Sequence, residues 1–178
     1  MFFMDFMTVR RLQARKFIYT LSGSVPAFNG AQAGALELTQ PIQQGYHFWS
    51  EILTISFTTI NSAGADDGVN QLTCQFKDGA NQLGLSNTFV DIATIAAPGR
   101  QRSTGLAGDP SNQLQTTGIP FPHLWVGTGS LIADLRNASN TANLFRATWN
   151  GYLIPESMIN QFDQWAAGAG APGAMIAQ

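Results

Sequence analysis

Charged side chains are scarce in this chain. Asp, Glu, Lys and Arg together make up 11% of its 178 residues, against roughly a quarter in an ordinary soluble protein. The surface must therefore be built largely from neutral polar residues. Because the cores of protein interfaces are depleted in charge, we expect much of this surface to lie against other proteins. The alternative is a neutral, amide-rich surface on a freely soluble domain.

Neither sign of charge dominates the chain, and long apolar runs are missing. The formal net charge is −2, so no overall field attracts the protein to nucleic acid or to an anionic membrane. No apolar run reaches the ~18 residues that a membrane-spanning helix needs. The first seven residues are apolar apart from Asp5. The basic residues Arg10, Arg11, Arg15 and Lys16 follow them, whereas a signal peptide places its basic residues first. We therefore expect no membrane partner, and the charge balance disfavours nucleic acid.

Cysteine and histidine are almost absent. Cys74 is the single cysteine, so no disulfide can form within the chain, and its position between Leu72 and Phe76 is typical of a buried small hydrophobe. His47 and His123 are the two histidines, and they show neither of the HxH and HExxH spacings that bind metals. Both histidines are predicted to be structural.

Patterns that carry chemistry are missing as well. The sequence has no Gly-x-Ser-x-Gly elbow and no phosphate-binding loop. The pair Asp66-Asp67 lies in a predicted turn and offers too few oxygen ligands for calcium. We therefore expect a non-enzymatic protein with no metal and no cofactor. A Ser/His/Asp arrangement that only folding brings together stays open.

Apolar and polar residues alternate along several short segments that Gly, Pro and Asn separate. In the clearest one, alternate residues from Phe145 to Leu153 fall on one face, and those from Arg146 to Tyr152 on the other. A period of two is typical of a half-buried antiparallel strand. The sequence predicts an all-β protein, an antiparallel β-sandwich or jelly roll. Further strands are predicted over residues 52–57, 71–77, 87–95, 114–117 and 130–136.

The two ends of the chain depart from this pattern. Residues 1–35 are predicted to be an N-terminal arm and loop, and residues 36–155 the sandwich. Residues 156–178 are predicted to be a short helix, over Glu156–Ala167, and an extended Gly/Ala-rich tail. In the arm, Arg10–Tyr19 fits either a strand or a short helix. The arm could therefore supply the first strand of the sandwich or hook onto a neighbouring subunit.

Apolar side chains in both end segments are predicted to contact neighbouring proteins. Basic residues near the start of the chain could touch packaged nucleic acid or acidic patches on a partner, or stay solvated. Trp149 falls on the core face of its strand, which leaves Trp125, near a loop, as the better candidate for a ligand or subunit contact. The predicted contact residues are Phe2, Phe3, Phe6, Met7, Arg10, Arg11, Arg15, Trp125, Phe162, Trp165 and Met175.

Residues 36–155 resemble small structural proteins of tailed bacteriophages. The resemblance rests on a recurrent late pattern: a Pro-rich entry, a short strand, a polar loop and a strand ending in Gly-Tyr and apolar residues. Earlier in the chain, a Gly-Tyr pair that precedes a predicted strand also matches these phage proteins. The matching runs are Gln44-Gly45-Tyr46-His47-Phe48, Pro120-Phe121-Pro122, Gly129-Ser130-Leu131-Ile132, Leu135-Arg136-Asn137-Ala138-Ser139 and Asn150-Gly151-Tyr152-Leu153-Ile154.

This resemblance implies a β-sandwich or jelly roll that decorates or cements a capsid. The expected protein would bind the major capsid protein across the joints of the shell, and itself as a dimer or trimer. It would be made in the host cytoplasm and lie on the capsid surface of the virion. The alternative is a carbohydrate-binding, receptor-binding or tail-adaptor module of the phage particle, and a small hydrolase ranks last.

Overall fold

Strands in two antiparallel sheets make up most of the protein in the computed structural model, which confirms the predicted all-β class. Sheet I contains β1 (Arg15–Val25), β3 (Tyr46–Thr58), β7 (Arg100–Arg102), β8 (Gln113–Thr116), β9 (Ile119–Trp125) and β11 (Asn143–Pro155). Sheet II contains β2 (Gly34–Pro41), β4 (Leu72–Asp78), β5 (Asn81–Leu83), β6 (Val90–Asp91) and β10 (Ser130–Asn137). The structure describes residues 3–27, 34–58, 72–79, 81–83, 90–91, 100–102, 113–116, 118–137 and 142–169.

Two short helices flank the strands in the sequence. Helix α1 (Phe6–Arg11) precedes β1, and helix α2 (Ile159–Ala169) follows β11 after a single 3-10 turn, Glu156–Met158. The helix predicted over Glu156–Ala167 is therefore present, with its first residues wound more tightly.

The strand pairing is that of a jelly roll. Strand β1 pairs with β11, β2 with β10, β3 with β9 and β4 with β5, so the first half of the domain pairs with the second half in reverse order. Strand β11 also pairs with β3, and β10 with β4. The resulting orders, β1-β11-β3-β9 and β2-β10-β4-β5, are those of two interlocked Greek keys. The short β8 and β7 extend sheet I beside the end of β3, and β6 lies beside β4.

The main core fills the space between the two sheets. The predicted alternation of β11 is confirmed, because Phe145, Ala147, Trp149 and Leu153 are all buried there. The Trp149 ring meets the ring of Phe76 from sheet II edge to face, at 5.2 Å between centroids. Burying one such large apolar side chain is worth about 1.5–3 kcal/mol, so each aromatic contact between the sheets helps to hold them together.

A β-bulge lies in the middle of β3. Its register against β11 shifts between Ser50 and Ile52, which leaves Glu51 as the extra residue. The register against β9 is irregular at the same place, but there the extra residue belongs to β9, because Phe121 and Pro122 both lie opposite Glu51. Opposite the bulge lies Gly151, and a Cβ atom there would collide with the carbonyl oxygen of Trp49 and lie 2.8 Å from Cα of Ser50. Glycine at this position therefore permits a backbone approach that any side chain would block.

A second, smaller core lies on the outer face of sheet I. Chain segments from both ends cover that face near the bulge, and Trp49 points out into them rather than into the main core. The segment before β1 contributes Met4 and Leu12, and α2 contributes Phe162 and Ala166. The remaining buried members come from the sheet itself and are Leu124 and Ile154.

The sandwich begins earlier in the chain than the sequence predicts, at Arg15 rather than at residue 36. Residues 1–35 were predicted to be an arm and loop, but Arg15–Val25 forms the edge strand of sheet I and pairs with β11 along its whole length. Tyr19, Leu21 and Val25 alternate inward and are buried. The run Ser22-Gly23-Ser24, which is typical of a loop, lies in this strand because pairing with β11 outweighs its weak strand propensity.

Two polar residues are buried against expectation. Strict alternation along the strand predicted over residues 71–77 would turn Gln75 outward together with Lys77, but Gln75 is 6% exposed. Asn137 lies just beyond the strand predicted over residues 130–136, but it ends β10, is fully buried and donates a hydrogen bond of 3.0 Å from Nδ2 to the carbonyl oxygen of Pro26. The predicted Asp66-Asp67 turn and the tail from residue 170 lie outside the described residues.

Candidate protein-interaction site

Helix α1 is fixed onto sheet I by the residues around it. The backbone N–H of Met4 donates a hydrogen bond of 2.6 Å to Oε1 of Glu51, and Oδ1 of Asp5 caps the helix by accepting from the backbone N–H of Thr8 at 2.7 Å. Leu12, at the other end of the helix, is fully buried. A helix of six residues is unstable alone in water, so the cap and the packing on sheet I keep α1 folded.

The two sides of α1 differ sharply. Met4, Thr8 and Leu12 recur at a spacing of four residues and are buried against sheet I and α2. Phe6 and Met7 lie on the opposite side and are 76% and 71% exposed. The exposed side also carries two basic residues in the last turn of the helix. We name this surface the α1 patch; its members are Phe6, Met7, Arg10 and Arg11.

A groove runs beside the α1 patch toward α2. It has a volume of about 660 Å³ and is lined by residues 5, 7, 8, 10 and 11 and by Trp165. Trp165 is half-buried, and its ring packs against those of Phe162, at 5.4 Å between centroids, and Trp49, at 5.9 Å. A partner that covered Phe6 and Met7 could therefore also reach an indole ring that the protein itself holds in place.

Charge on the α1 patch is balanced only weakly, by attraction between Arg11 and Asp5. Neither Arg10 nor Arg11 forms an ion pair within the part of the chain that the structure describes. Asp5 is the nearest carboxylate in the sequence, and hydrogen bonds from the backbone and side chain of Thr8 lower its pKa. Two guanidinium groups therefore lie beside two exposed apolar side chains, which suits a partner surface that is apolar and carries carboxylates.

The remaining residues predicted to contact partners are distributed unevenly. Phe3 is half-buried. Arg15 is engaged within its own chain, where it donates a hydrogen bond of 2.8 Å to Oε1 of Gln43 and lies 4.6 Å from the centre of the Tyr46 ring. Phe2 and Met175 lie outside the described residues.

The predictions that Trp125 and Phe162 contact a partner are wrong. Trp125 is 0% exposed and packs in the main core against Phe48 and Trp149, with 5.8 and 6.1 Å between ring centroids. Its proximity to a loop in the sequence was misleading, because its strand turns this residue inward. Phe162 is also fully buried, in the second core, so it anchors α2 to its own domain rather than to a neighbour.

Both histidines have structural partners, as predicted. Nδ1 of His47 accepts a hydrogen bond of 3.1 Å from the backbone N–H of Gly127, and burial lowers the pKa of this imidazole. Nε2 of His123 lies 3.0 Å from Oδ2 of Asp78, which links β9 to β4 across the two sheets. Among the described residues, no group of three or more His, Cys, Asp or Glu side chains could hold a metal ion.

Sequence reasoning missed how α1 is held in place. Asp5 is a residue type favoured at helix N-caps, and it could have located the start of α1. No sequence pattern indicates that Glu51 accepts a hydrogen bond from Met4. This contact depends on a bulge in β3, which arises only when three strands pair. None of the described helices is long and apolar enough to span a membrane.

Comparisons with known proteins leave the family open. No protein-family model matches this chain, and no curated protein matches it. Among solved structures, a chain from the structure of infectious bursal disease virus, Gt strain, is similar over 84% of this chain, with 14% sequence identity and a TM-score of 0.19. The match spans 42% of that viral chain. A likeness this weak carries no argument about fold or function.

Proposed function

We propose that the protein is a non-enzymatic structural component of a virus particle. Its most specific form is a cement or decoration protein that binds the outside of the capsid across joints between major capsid subunits. The observation that carries the proposal is the α1 patch, where Phe6 and Met7 are exposed on a helix that its own domain holds rigidly. Large apolar side chains that are exposed together commonly mark interaction surfaces.

The order of α1 before binding favours a tight contact. A segment that folds only on binding loses about 1–2 kcal/mol per residue in backbone entropy, whereas α1 is already fixed by its cap and by Met4 and Leu12. Burying one large apolar side chain supplies about 1.5–3 kcal/mol. Phe6 and Met7 can therefore stabilise a complex without a large ordering cost.

The fold and the composition fit the same role. Jelly rolls are common in viral capsid proteins and also in lectins, although a fold alone does not establish function. A surface with few charges suits burial against a shell. The resemblance of residues 36–155 to tailed-bacteriophage structural proteins supports the more specific role of a cement protein.

Variants of the α1 patch test the proposal. The wild-type protein should co-sediment with shells assembled from the major capsid protein of the same virus. The double variant Phe6→Ser/Met7→Ser should bind those shells at least about tenfold more weakly, because the apolar area buried at the contact is lost. Ile18→Ser is the matched control, since Ile18 is also exposed, at 52%, but lies on β1 outside the α1 patch. It should bind like the wild type.

Two outcomes would contradict the proposal in different ways. If the wild-type protein does not sediment with the shells, the role as a cement protein is wrong. If the double variant binds as tightly as the wild type, the role survives but the contact lies elsewhere. Deleting residues 1–9 is a poorer test, because it also removes Met4 and Thr8, which are buried in the domain's own packing.

The alternative of a glycan-binding or receptor-binding module relied on Trp125 as the aromatic residue that contacts the ligand. Trp125 is buried and cannot make that contact. Self-association as a dimer or trimer, with the virion as location, remains part of the proposal. Light scattering of the purified protein would measure the oligomeric state independently of shell binding.

A further inference from the structure

The outer face of sheet I has a second half, which the terminal segments leave uncovered. There the strands β1, β11 and β3 run side by side, and most of the outward residues that surround Arg146 carry hydroxyl groups. Cross-strand rows place Thr20 beside Thr148 and Thr148 beside Thr54. We name this surface the hydroxyl face; its members are Thr20, Ser22, Thr54, Ser56, Arg146 and Thr148.

Arg146 is the single charged member of the hydroxyl face. It lies on the middle strand, and its direct cross-strand neighbours are Ser22 on β1 and Ser56 on β3. Its side chain is exposed and forms no hydrogen bond or ion pair within the described parts of the chain. Because neighbouring strands lie about 4.8 Å apart, a serine residue flanks Arg146 on each side.

Four members of the hydroxyl face line a shallow groove of about 480 Å³, and Thr148 and Thr54 lie on the same face outside it. This volume is within the size range of small-ligand sites. Arg146 and Ser22 line the groove together with Thr20, and Leu144, which is 56% exposed, adds an apolar wall. The hydroxyls of Thr20 and Thr148 are 3.4 Å apart, so they already form a pair to which a bound hydroxyl group can add further hydrogen bonds.

We propose that the hydroxyl face binds an acidic saccharide, a sugar that carries a carboxylate. The planar guanidinium of Arg146 pairs with both oxygens of a carboxylate, and Ser22 and Ser56 donate to the same group from either side. The row Thr20, Thr148 and Thr54 hydrogen-bonds the ring hydroxyls. Leu144 contacts the apolar carbons of the sugar. This site is independent of the α1 patch, so it stands whether or not the protein binds a capsid.

Titration with free sugars tests the site. N-acetylneuraminic acid and glucuronic acid should shift the NMR signals of residues on the hydroxyl face in a saturable manner, with dissociation constants on the order of millimolar, as is usual for one small ligand in a shallow site. Galactose, which lacks the carboxylate, should bind at least about tenfold more weakly.

Substitution of Arg146 distinguishes binding of acidic sugars at the hydroxyl face from nonspecific attraction of anions to positive charges elsewhere on the protein. Arg146→Gln should weaken binding of the acidic sugars at least about tenfold, with an unchanged melting temperature because the side chain is exposed. Lys16→Gln, which removes an equal charge from an exposed position of β1 outside both named surfaces, is the matched control and should bind as the wild type does. If the acidic sugars give no saturable shifts, or if Arg146→Gln binds them like the wild type, the proposal is wrong.

Discussion

The backbone N–H of Met4 donates a hydrogen bond to the carboxylate of Glu51, which lies 47 residues away in the bulge of β3. Glu51 is the extra residue of this bulge, and its side chain projects outward to Met4, which directly precedes the N-cap residue of α1. This one contact therefore couples the pairing of three strands to the position of the helix that carries Phe6 and Met7. Changes at the bulge should consequently alter the order of α1 while leaving the main core in place.

Variants of Glu51 should separate its hydrogen bond from its charge. Glu51→Gln retains an oxygen that can accept from Met4, whereas Glu51→Ala leaves that N–H without its partner. An unpaired buried donor costs about 1–3 kcal/mol, so amides of α1 should exchange with deuterium faster in Glu51→Ala and at the wild-type rate in Glu51→Gln. Equal exchange in the two variants would show that this hydrogen bond does not hold α1.

The charge of Glu51 should appear in the pH dependence of stability. Burial raises the pKa of Glu51 above its usual value, and the N–H of Met4 opposes the shift only in part. The folded protein therefore binds this proton more tightly than the unfolded chain does, and stability is lost as the pH rises through the native pKa. Relative to the wild type, Glu51→Gln should be more stable at pH 8 than at pH 4.5 in urea unfolding. A difference that is constant with pH would contradict this assignment.

Gly151 should tolerate no side chain. A Cβ atom at this position would collide with the carbonyl oxygen of Trp49 in the neighbouring strand, and backbone cannot move aside as a flexible side chain can. We expect Gly151→Ala to lower the free energy of unfolding by more than about 2 kcal/mol. Chemical denaturation measures this loss directly.

Gly168 provides the matched control for this substitution. It lies in α2, and no atom is within 4 Å of the place where its Cβ would be. Gly168→Ala should therefore stabilise the protein by up to about 1 kcal/mol, because alanine loses less conformational entropy in a helix. Similar losses in both variants would show that the close contact at the bulge is not the cause.

The alternation of β11 could be predicted from sequence because each of its faces has a uniform environment over most of its length. Phe145 and Trp149 face the core, and Arg146 faces solvent on the same strand. Trp125 could not be assigned this way. Its direction depends on how β9 pairs with β3, and that register includes a bulge that no local pattern reveals.

The N-terminal region was hard to predict because tertiary contacts determine its structure. Helix α1 is too short to show a helical repeat, and it exists because Met4 and Leu12 pack on an outer face of sheet I. Tertiary contacts also explain why Phe6 and Phe162, which were both predicted to contact neighbouring proteins, differ in their exposure to solvent. Phe6 is exposed, and Phe162 is fully buried in the second core.

Cys74 should serve as a reporter of unfolding. Its thiol is buried in the main core, and burial raises its pKa well above the usual value, which keeps it protonated. Because the thiolate is the reactive form, we expect an aromatic disulfide reagent to label the folded protein only as fast as the protein opens. The labelling rate should rise with urea in step with unfolding measured by Trp fluorescence.

An exposed cysteine controls for the intrinsic reactivity of the reagent. Ser24→Cys in a Cys74→Ala background places a thiol on β1 at an exposed position, and it should react at once in the folded state. If Cys74 in the wild type reacts equally fast without urea, its strand opens locally and the sheet is less stable than its packing suggests.

His47 should make stability depend on pH near neutrality. Burial lowers the pKa of this imidazole below its usual value of about 6.5, and the nearby carboxylates of Glu156 and Asp163 offset part of that shift. Its Nδ1 accepts from the backbone N–H of Gly127, so protonation removes an acceptor as well as placing a charge in a buried site. The folded protein binds this proton less readily than the unfolded chain.

The stabilising contribution of neutral His47 is therefore fully present above pH ~6.5 and is lost as the pH falls through the lower native pKa. His47→Gln can keep an acceptor for Gly127 but does not titrate. Its stability relative to the wild type should rise as the pH falls from about 7.5 to 5, because the wild type alone loses this contribution. Urea unfolding of both proteins across that range measures the difference, in which the titrating groups that do not interact with His47 cancel. A difference that falls with decreasing pH would mean that attraction to Glu156 and Asp163 outweighs burial at this site.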